Sequence, residues 1–372
     1  MRLAFVTPWD TDDERAWSGV IRPMITTLGK RCDLIPLSTA GVPDSLLDRG
    51  AARLLDGRRG RKYLVGHAVA TGIQRGRHLR ARLADAQPDA VLAVAASQDI
   101  AFLGGDVPVI QVSDATLAAI TGYYDQFTRM WAVSRWQAQV ISRRSAERAN
   151  HTLAATCWAR DALIRDDGIG PGAITVAPFG PAITPRGDEP PRAVGEPLRM
   201  LAVVSNWERK GGTRVVAVYE ELLRRGLDVE LTIVGDVPGH LPSGIHTPGR
   251  VQRRELQDLY ASSQVLLELA RSNAAGVTLT DAAAFGLPAI ATDTGGVSTI
   301  VDDGVTGVLV PPGELDGVAA AADAVERHRG DFARMGNAAR QRSAADLSWE
   351  GWADTALAAA HRLMKHRPDH AG

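Results

Sequence analysis

Leu198–Asp236 reads LRMLAVVSNWERKGGTRVVAVYEELLRRGLDVELTIVGD. LRMLAVVS and VELTIVGD are short apolar runs of strand character. TRVVAVYEELLRRG between them reads as a helix. A strand, a crossover helix and a second strand make a parallel βαβ unit. The same rhythm continues with VLLELA, PAIATD and GVLVPP as strands and RRELQDLYASS and GVTLTDAAAFG as helices. It also runs upstream, through RLAFVTP, CDLIPLS, AVLAVAAS, VPVIQVSD, RMWAVS, ANHTLAAT and AITVAPFG. The fold class is therefore α/β.

Between the two runs lies PFGPAITPRGDEPPRAVGEP, rich in Pro and Gly and without a period, which reads as an interdomain linker. At 372 residues the chain exceeds one ordinary core. The expected organisation is an N-terminal domain over 1–182, a linker over 183–197 and a second domain over 198–347. A closing helix over 348–372, in the Ala-rich tail, returns to the first domain. Two doubly wound domains place a cleft between the carboxyl ends of two sheets, where ligands of open α/β sheets bind.

Composition narrows the partners. With 45% hydrophobic and 23% charged residues and a net charge of −1, nothing points to nucleic acid or to disorder. Cys32 and Cys157 are too few for a disulfide framework and read as two packed thiols in a reducing compartment. MRLAFVTPWDTDDER is too short in apolar residues for a signal-peptide core, and no run has the length of a membrane span. The expected location is the cytoplasm, with peripheral attachment to the inner face of a membrane left open.

Three turns carry chemistry. After the first strand there is no Gly-x-Gly-x-x-Gly, which argues against a nicotinamide site. Instead Ser18 and Gly19 precede an amphipathic helix, where free N–H groups and the helix dipole suit an anion. The same pair also fits a helix cap with no ligand. In the second domain, Asn206, Trp207, Glu208, Arg209 and Lys210 lead into a Gly pair. Adjacent cations at the end of a strand suit the developing charge of a diphosphate leaving group, although a solvated basic turn has the same composition. In RSNAAGVTLTDAAAFGLPAIATDTGG, Asn273 ends a strand and Asp281 lies about one turn into a helix. Both can face sugar hydroxyls; the bland alternative is a turn Asn and a solvated helix Asp.

Taken together, these segments resemble a family 4 glycosyltransferase, the retaining, nucleotide-sugar-using group with the GT-B fold of two Rossmann-like domains. The resemblance rests on ERANHTLAATCWARDALIRDDGIGPGAITVAPFG, SNWERKGG, TPGRVQRRELQDLYASSQVLL, SNAAGVTLTDAAAFGLPAIATDTGGVSTIVDDGVTGVLVPPG and LSWEGWAD. In that family two glutamates stand with seven residues between them; here Asn273 and Asp281 fill the two places. Other departures are Thr299 for a glutamate, Ser113 beside Asp114 where a His precedes an Asp, and Ser205 for an arginine that Arg209 can replace.

The resemblance implies transfer of a sugar from a nucleoside diphosphate to a hydroxyl acceptor, a small molecule, lipid or cell-envelope glycan. It casts Arg209, Lys210 and Asn273 as catalytic. Gly19, Arg250, Ala275, Gly276, Val277, Thr278 and Asp281 are cast as donor-binding, with Arg250 near the base and Asp281 at the ribose. Trp9, Trp17 and Asp114 are acceptor candidates. No metal and no cofactor is implied, and the donor is a UDP-sugar ahead of a GDP-sugar. The alternatives are a degenerate member or partner subunit that binds a sugar nucleotide without catalysis, and a GT-B sugar-nucleotide epimerase. Between Arg53 and Arg82, nine Arg or Lys stand against one acid, Asp56. This segment reads either as contact with an anionic membrane or acceptor, or as a solvated Arg-rich surface.

Overall fold

The computed structural model describes residues 1–192, 195–239 and 241–365. It divides into two compact units. The first comprises residues 1–177 and the helix Trp349–Lys365, and the second is Pro178–Ser348.

The first unit is built on six parallel strands, β1 (Arg2–Thr7), β2 (Asp33–Ser38), β3 (Ala90–Val94), β4 (Val109–Ser113), β5 (His151–Ala154) and β6 (Ile174–Val176). Their order is β2-β1-β3-β4-β5-β6. β3, β4 and β5 are buried along their whole length, and β1 apart from Arg2. That is why they read as continuous apolar runs rather than alternating ones. The helix Val69–Ala86 packs Leu79 and Leu83 against Ala4, Val6, Val91 and Ala93. The closing helix is held by Arg31, which ion-pairs with Asp354 and donates to the Glu350 carbonyl at 3.1 Å.

RMWAVS, expected as a strand, is not one. Its second half opens the helix Ala132–Arg148, and Val133 is exposed. The buried stripe of that helix is Ser134, Gln137, Ala138, Ile141 and Ser145, so its inner face is largely polar and hides the helical period. These polar groups are used: Ser134 Oγ accepts from the Leu64 amide at 2.9 Å, and Gln137 Oε1 from Val69 at 2.8 Å.

The second unit has its own parallel sheet of β7 (Leu198–Val204), β8 (Val229–Gly235), β9 (Ile245–Gly249), β10 (Val265–Glu268), β11 (Ala289–Thr292) and β12 (Gly307–Val310). The order is β12-β11-β10-β7-β8-β9. The helix Gly212–Arg224 buries Val215, Val218, Tyr219 and Leu222 on one side of the sheet with the helix Asp316–His328. Helices Arg253–Ser262, Val277–Ala284 and Phe332–Ala345 close the other side around Tyr260, Leu279 and Ala339. β9 was not among the strand candidates. Its sequence, IHTPG, is polar, partly exposed and carries a proline, as an edge strand permits.

The Pro/Gly-rich segment is fastened to the second unit. Arg186 reaches Asp258 at 2.7 Å and Gln257 at 2.9 Å. Arg192 donates to the carbonyls of Ser263 and Phe285, both at 2.6 Å, and burial lowers its pKa to about 10. Both cysteines are free thiols, but Cys157 is exposed rather than packed. Among the described residues no helix is long and apolar enough to cross a membrane.

Candidate functional site

In the second unit the strand order reverses between β7 and β10, the place where open α/β sheets hold their ligands beyond the strand ends. The turn after β7 is shaped by its own hydrogen bonds. Asn206 Oδ1 accepts from the Arg209 amide, and the Asn206 carbonyl from the Lys210 amide, both at 2.9 Å. Gly211 follows at φ 69°, where an added Cβ would stand 2.0 Å from the Leu269 carbonyl oxygen. Glycine is thus required for the backbone to press against the end of β10.

That turn delivers Lys210 inward. Its side chain is 9% exposed, with Nζ 2.7 Å from Oε1 of Glu268 and 3.4 Å from the Thr278 hydroxyl. Glu268, the last residue of β10, is 2% exposed and was not a sequence candidate. A lone acid inside the apolar run VLLELA was the available signal. The same Oε1 accepts from Asn273 Nδ2 at 3.1 Å, while Asn273 Oδ1 accepts from the Gly276 amide at 2.9 Å. The amide of Asn273, 6% exposed, therefore braces the turn and the Lys210–Glu268 pair.

Arg209 lies beside this cluster and donates to the Ser272 carbonyl at 3.3 Å, and its own carbonyl accepts from Arg271 at 2.8 Å. Gly276, at φ 68°, is the residue before the helix Val277–Ala284, which no side chain caps. Ala275, Gly276, Val277 and Thr278 are thus brought together with Lys210, Asn273 and Arg209.

Two predicted donor residues are engaged by other groups. Asp281, 6% exposed, receives the Ile183 amide on Oδ1 at 2.9 Å, and burial raises its pKa to about 7. The carboxylate fastens the entering chain instead of standing open at the sheet end. Arg250 follows the edge strand β9, is exposed, and pairs with Asp236, Nε lying 3.0 Å from Oδ1. Thr299 lies on the helix Val297–Ile300, and its carbonyl accepts from Arg342 at 2.7 Å.

In the first unit, Trp9 follows β1 and is 41% exposed, its carbonyl taking the Ser38 hydroxyl at 2.7 Å. Trp17, Ser18 and Gly19 are consecutive left-handed residues, at φ 45°, 62° and 82°, before the helix Ile21–Gly29. Two of them are not glycine, so strain is held at this turn. Asp114 follows β4, and burial raises its pKa to about 6; Ser113 Oγ donates to the Ala115 carbonyl at 2.8 Å. All these residues follow β1 or β4, at the carboxyl end of the sheet. Among the described residues no group of three His, Cys, Asp or Glu is arranged to hold a metal ion.

Comparison with known proteins agrees with this geometry. Residues 199–328 match the family model described as "Glycosyl transferases group 1". A D-inositol 3-phosphate glycosyltransferase of Kribbella flavida is 33% identical over 162 residues, 43% of this chain and 35% of that protein. The chain thus spans about a third of that relative's length. Sucrose-phosphate synthase from Thermosynechococcus elongatus superposes with a TM-score of 0.71 at 16% identity, over 98% of this chain and 99% of that one. The Anabaena protein HepE, solved with UDP and glucose, gives 0.63 at 13% identity, over 97% and 100%. Residues 199–328 of the second unit are thus similar to group 1 glycosyltransferases, and the chain shares the GT-B fold along nearly its whole length.

Proposed function

We propose that the protein is a retaining, metal-independent glycosyltransferase that moves a sugar from a nucleoside-diphosphate sugar, UDP-sugar ahead of GDP-sugar, to a hydroxyl acceptor. The observation that carries this reading is the fixed ammonium of Lys210 at the β7/β10 reversal, 3.4 Å from the Thr278 hydroxyl at the head of a helix that no side chain caps. A cation, a hydroxyl and a helix N-terminus converging on one point suit the oxyanion of a departing diphosphate. In the reaction the anomeric C–O bond to the diphosphate breaks and its electron pair stays on the diphosphate oxygen. The acceptor oxygen forms the new C–O bond on the same face, and its proton passes to the leaving diphosphate. Arg209 adds a second cation beside the turn.

A second reading, sugar-nucleotide binding without transfer, is favoured by one feature: Glu268 already neutralises Lys210. Thermal stabilisation and hydrolysis across UDP-, GDP-, TDP- and ADP-sugars, with Lys210→Ala alongside, separate the two. Transferase chemistry gives one stabilising donor that is slowly hydrolysed. In the variant kcat then falls about 100-fold or more while KM changes little. Stabilisation without turnover, in the presence of hydroxyl acceptors, supports the binding protein. Stabilisation by no donor overturns both.

A further inference from the structure

In the first unit, residues 59–61 and 121–135 enclose a concavity of about 420 Å³, within the size range of small-molecule sites. Its wall carries Arg59, Arg61, Arg129 and Arg135 together with Thr121 and Thr128, and no acid. Some arginines of the chain are neutralised by carboxylates: Arg225 reaches Glu221, Asp323 and Glu326, and Arg214 reaches Glu314. Among the described residues none of the four around the concavity has an ion pair, and Arg61 has only the face of Trp131, 5.3 Å from its centroid. Four like charges gathered around one hollow repel each other unless an anion joins them.

The hollow is also built. Lys62 bridges Met130 in parallel, its amide donating to the Arg129 carbonyl at 2.9 Å and its carbonyl accepting from Trp131 at 3.1 Å. Trp131 Nε1 donates to the Leu55 carbonyl at 2.8 Å. These bonds lock the two loops together. Arg59 and Arg129 are held left-handed, at φ 53° and 51°, a conformation that costs a residue with a side chain about 1–2 kcal/mol. Strain of this kind collects where a side chain must be aimed. The helix Ala132–Arg148 begins at the wall, Ala132 being part of it, and no side chain caps that end. Its dipole adds to the positive field.

We propose that this concavity binds a phosphate group, a monoester or a diphosphate, gripped by the forked donors of the four guanidinium groups. The assignment concerns binding by the first unit and stands whether or not the chain transfers sugar. The phosphate has two sources, a soluble phosphorylated molecule or a lipid headgroup. The second enters because the helix Leu46–Leu55, which ends just before this loop, exposes Leu46, Leu47 and Leu54 at 77%, 78% and 67%.

The test is calorimetric titration of the full chain at physiological salt with glucose 6-phosphate and with inorganic pyrophosphate. Co-sedimentation runs beside it, on phosphatidylcholine vesicles with and without phosphatidic acid, whose headgroup is a phosphate monoester. The double variant Lys210→Met, Glu268→Leu, which leaves no buried charge unmatched, serves as background, so that Lys210 of the second unit does not answer for the first. The variants are Arg59→Asn with Arg129→Asn, Asn being the side chain that best tolerates a left-handed backbone, and Arg61→Ser with Arg135→Ser. Each pair is expected to weaken binding about tenfold or more, at the strength of hydrogen bonds to charged groups, with unchanged thermal midpoints because all four side chains are exposed. Binding of the soluble probes assigns a soluble ligand. Binding only to the anionic vesicles, lost in the variants, assigns a headgroup. No binding of either kind, or binding unaltered in both variants, overturns the proposal.

Discussion

Lys210 and Glu268 form a buried ion pair across β7 and β10, strands adjacent in the sheet and far apart in sequence, with Nζ 2.7 Å from Oε1. Removing one partner leaves an unmatched charge where water does not reach. Glu268→Leu and Lys210→Met are each expected to cost about 3–5 kcal/mol, whereas the double variant is expected to lie near the wild type. Denaturant unfolding of the four proteins measures the coupling; additive losses would show that the two charges do not depend on each other.

Gly211 and Gly276 both stand in the left-handed region, but their surroundings differ. At Gly211 an added methyl meets the Leu269 carbonyl oxygen at 2.0 Å, a backbone atom; at Gly276 it meets Cγ1 of the buried Ile300 side chain at 2.9 Å. Gly276→Ala is expected to cost the left-handed penalty of about 1–2 kcal/mol together with a displacement of Ile300. Gly211→Ala is expected to cost more, and to weaken donor binding by moving Lys210. Equal unfolding midpoints for the two variants would contradict this.

Asp281 titrates at about 7 in the folded chain because burial disfavours its charge, against an ordinary value of 3.8. The folded state therefore holds the proton more tightly. The favourable contribution is complete below pH 4 and is lost as pH rises toward and past 7. Asp281→Asn keeps an acceptor for the Ile183 amide and carries no charge. Relative to the wild type, the variant should gain stability steadily from pH 4 to pH 8, at roughly 1.4 kcal/mol per unit of pKa difference. A difference between the two proteins that stays flat with pH would remove burial as the cause.

The ion pair of Arg250 with Asp236 lies on the exposed surface, where such pairs contribute little to stability. Arg250→Ala is expected to leave the thermal midpoint within measurement scatter. Any loss of affinity for a sugar nucleotide in that variant then reports contact with the ligand, read by titration against the unaltered midpoint.

The sheets were legible because their strands are buried on both faces and their residues say so: AVLAV and VIQVS allow little else. The edge strand β9 lacked that signature, and RMWAVS imitated it although Met130 makes only an isolated bridge to Lys62. The helix that starts there turns Ser134 and Gln137 inward, and a polar inner face carries no hydrophobic period. At the site, the basic turn and the small-residue turn were visible as local patterns. The pairing that joins them was not, because Lys210 and Glu268 lie 58 positions apart and only the strand order makes them neighbours. That Asp281 accepts the Ile183 amide was not visible either, because sequence spacing cannot place that contact.

The first unit is written in two pieces, residues 1–177 and the helix from Trp349, with the second unit unbroken between them. This makes residues 178–348 a cassette. They can be cut out and expressed as one contiguous stretch, or exchanged for the corresponding stretch of another protein of the same fold, with two splice points and no rearrangement of the first unit's sequence. The reverse does not hold. Stopping the chain at residue 177 deprives the first unit of the helix that Arg31 grips, so a gene for that unit alone must rejoin its two pieces through a new turn.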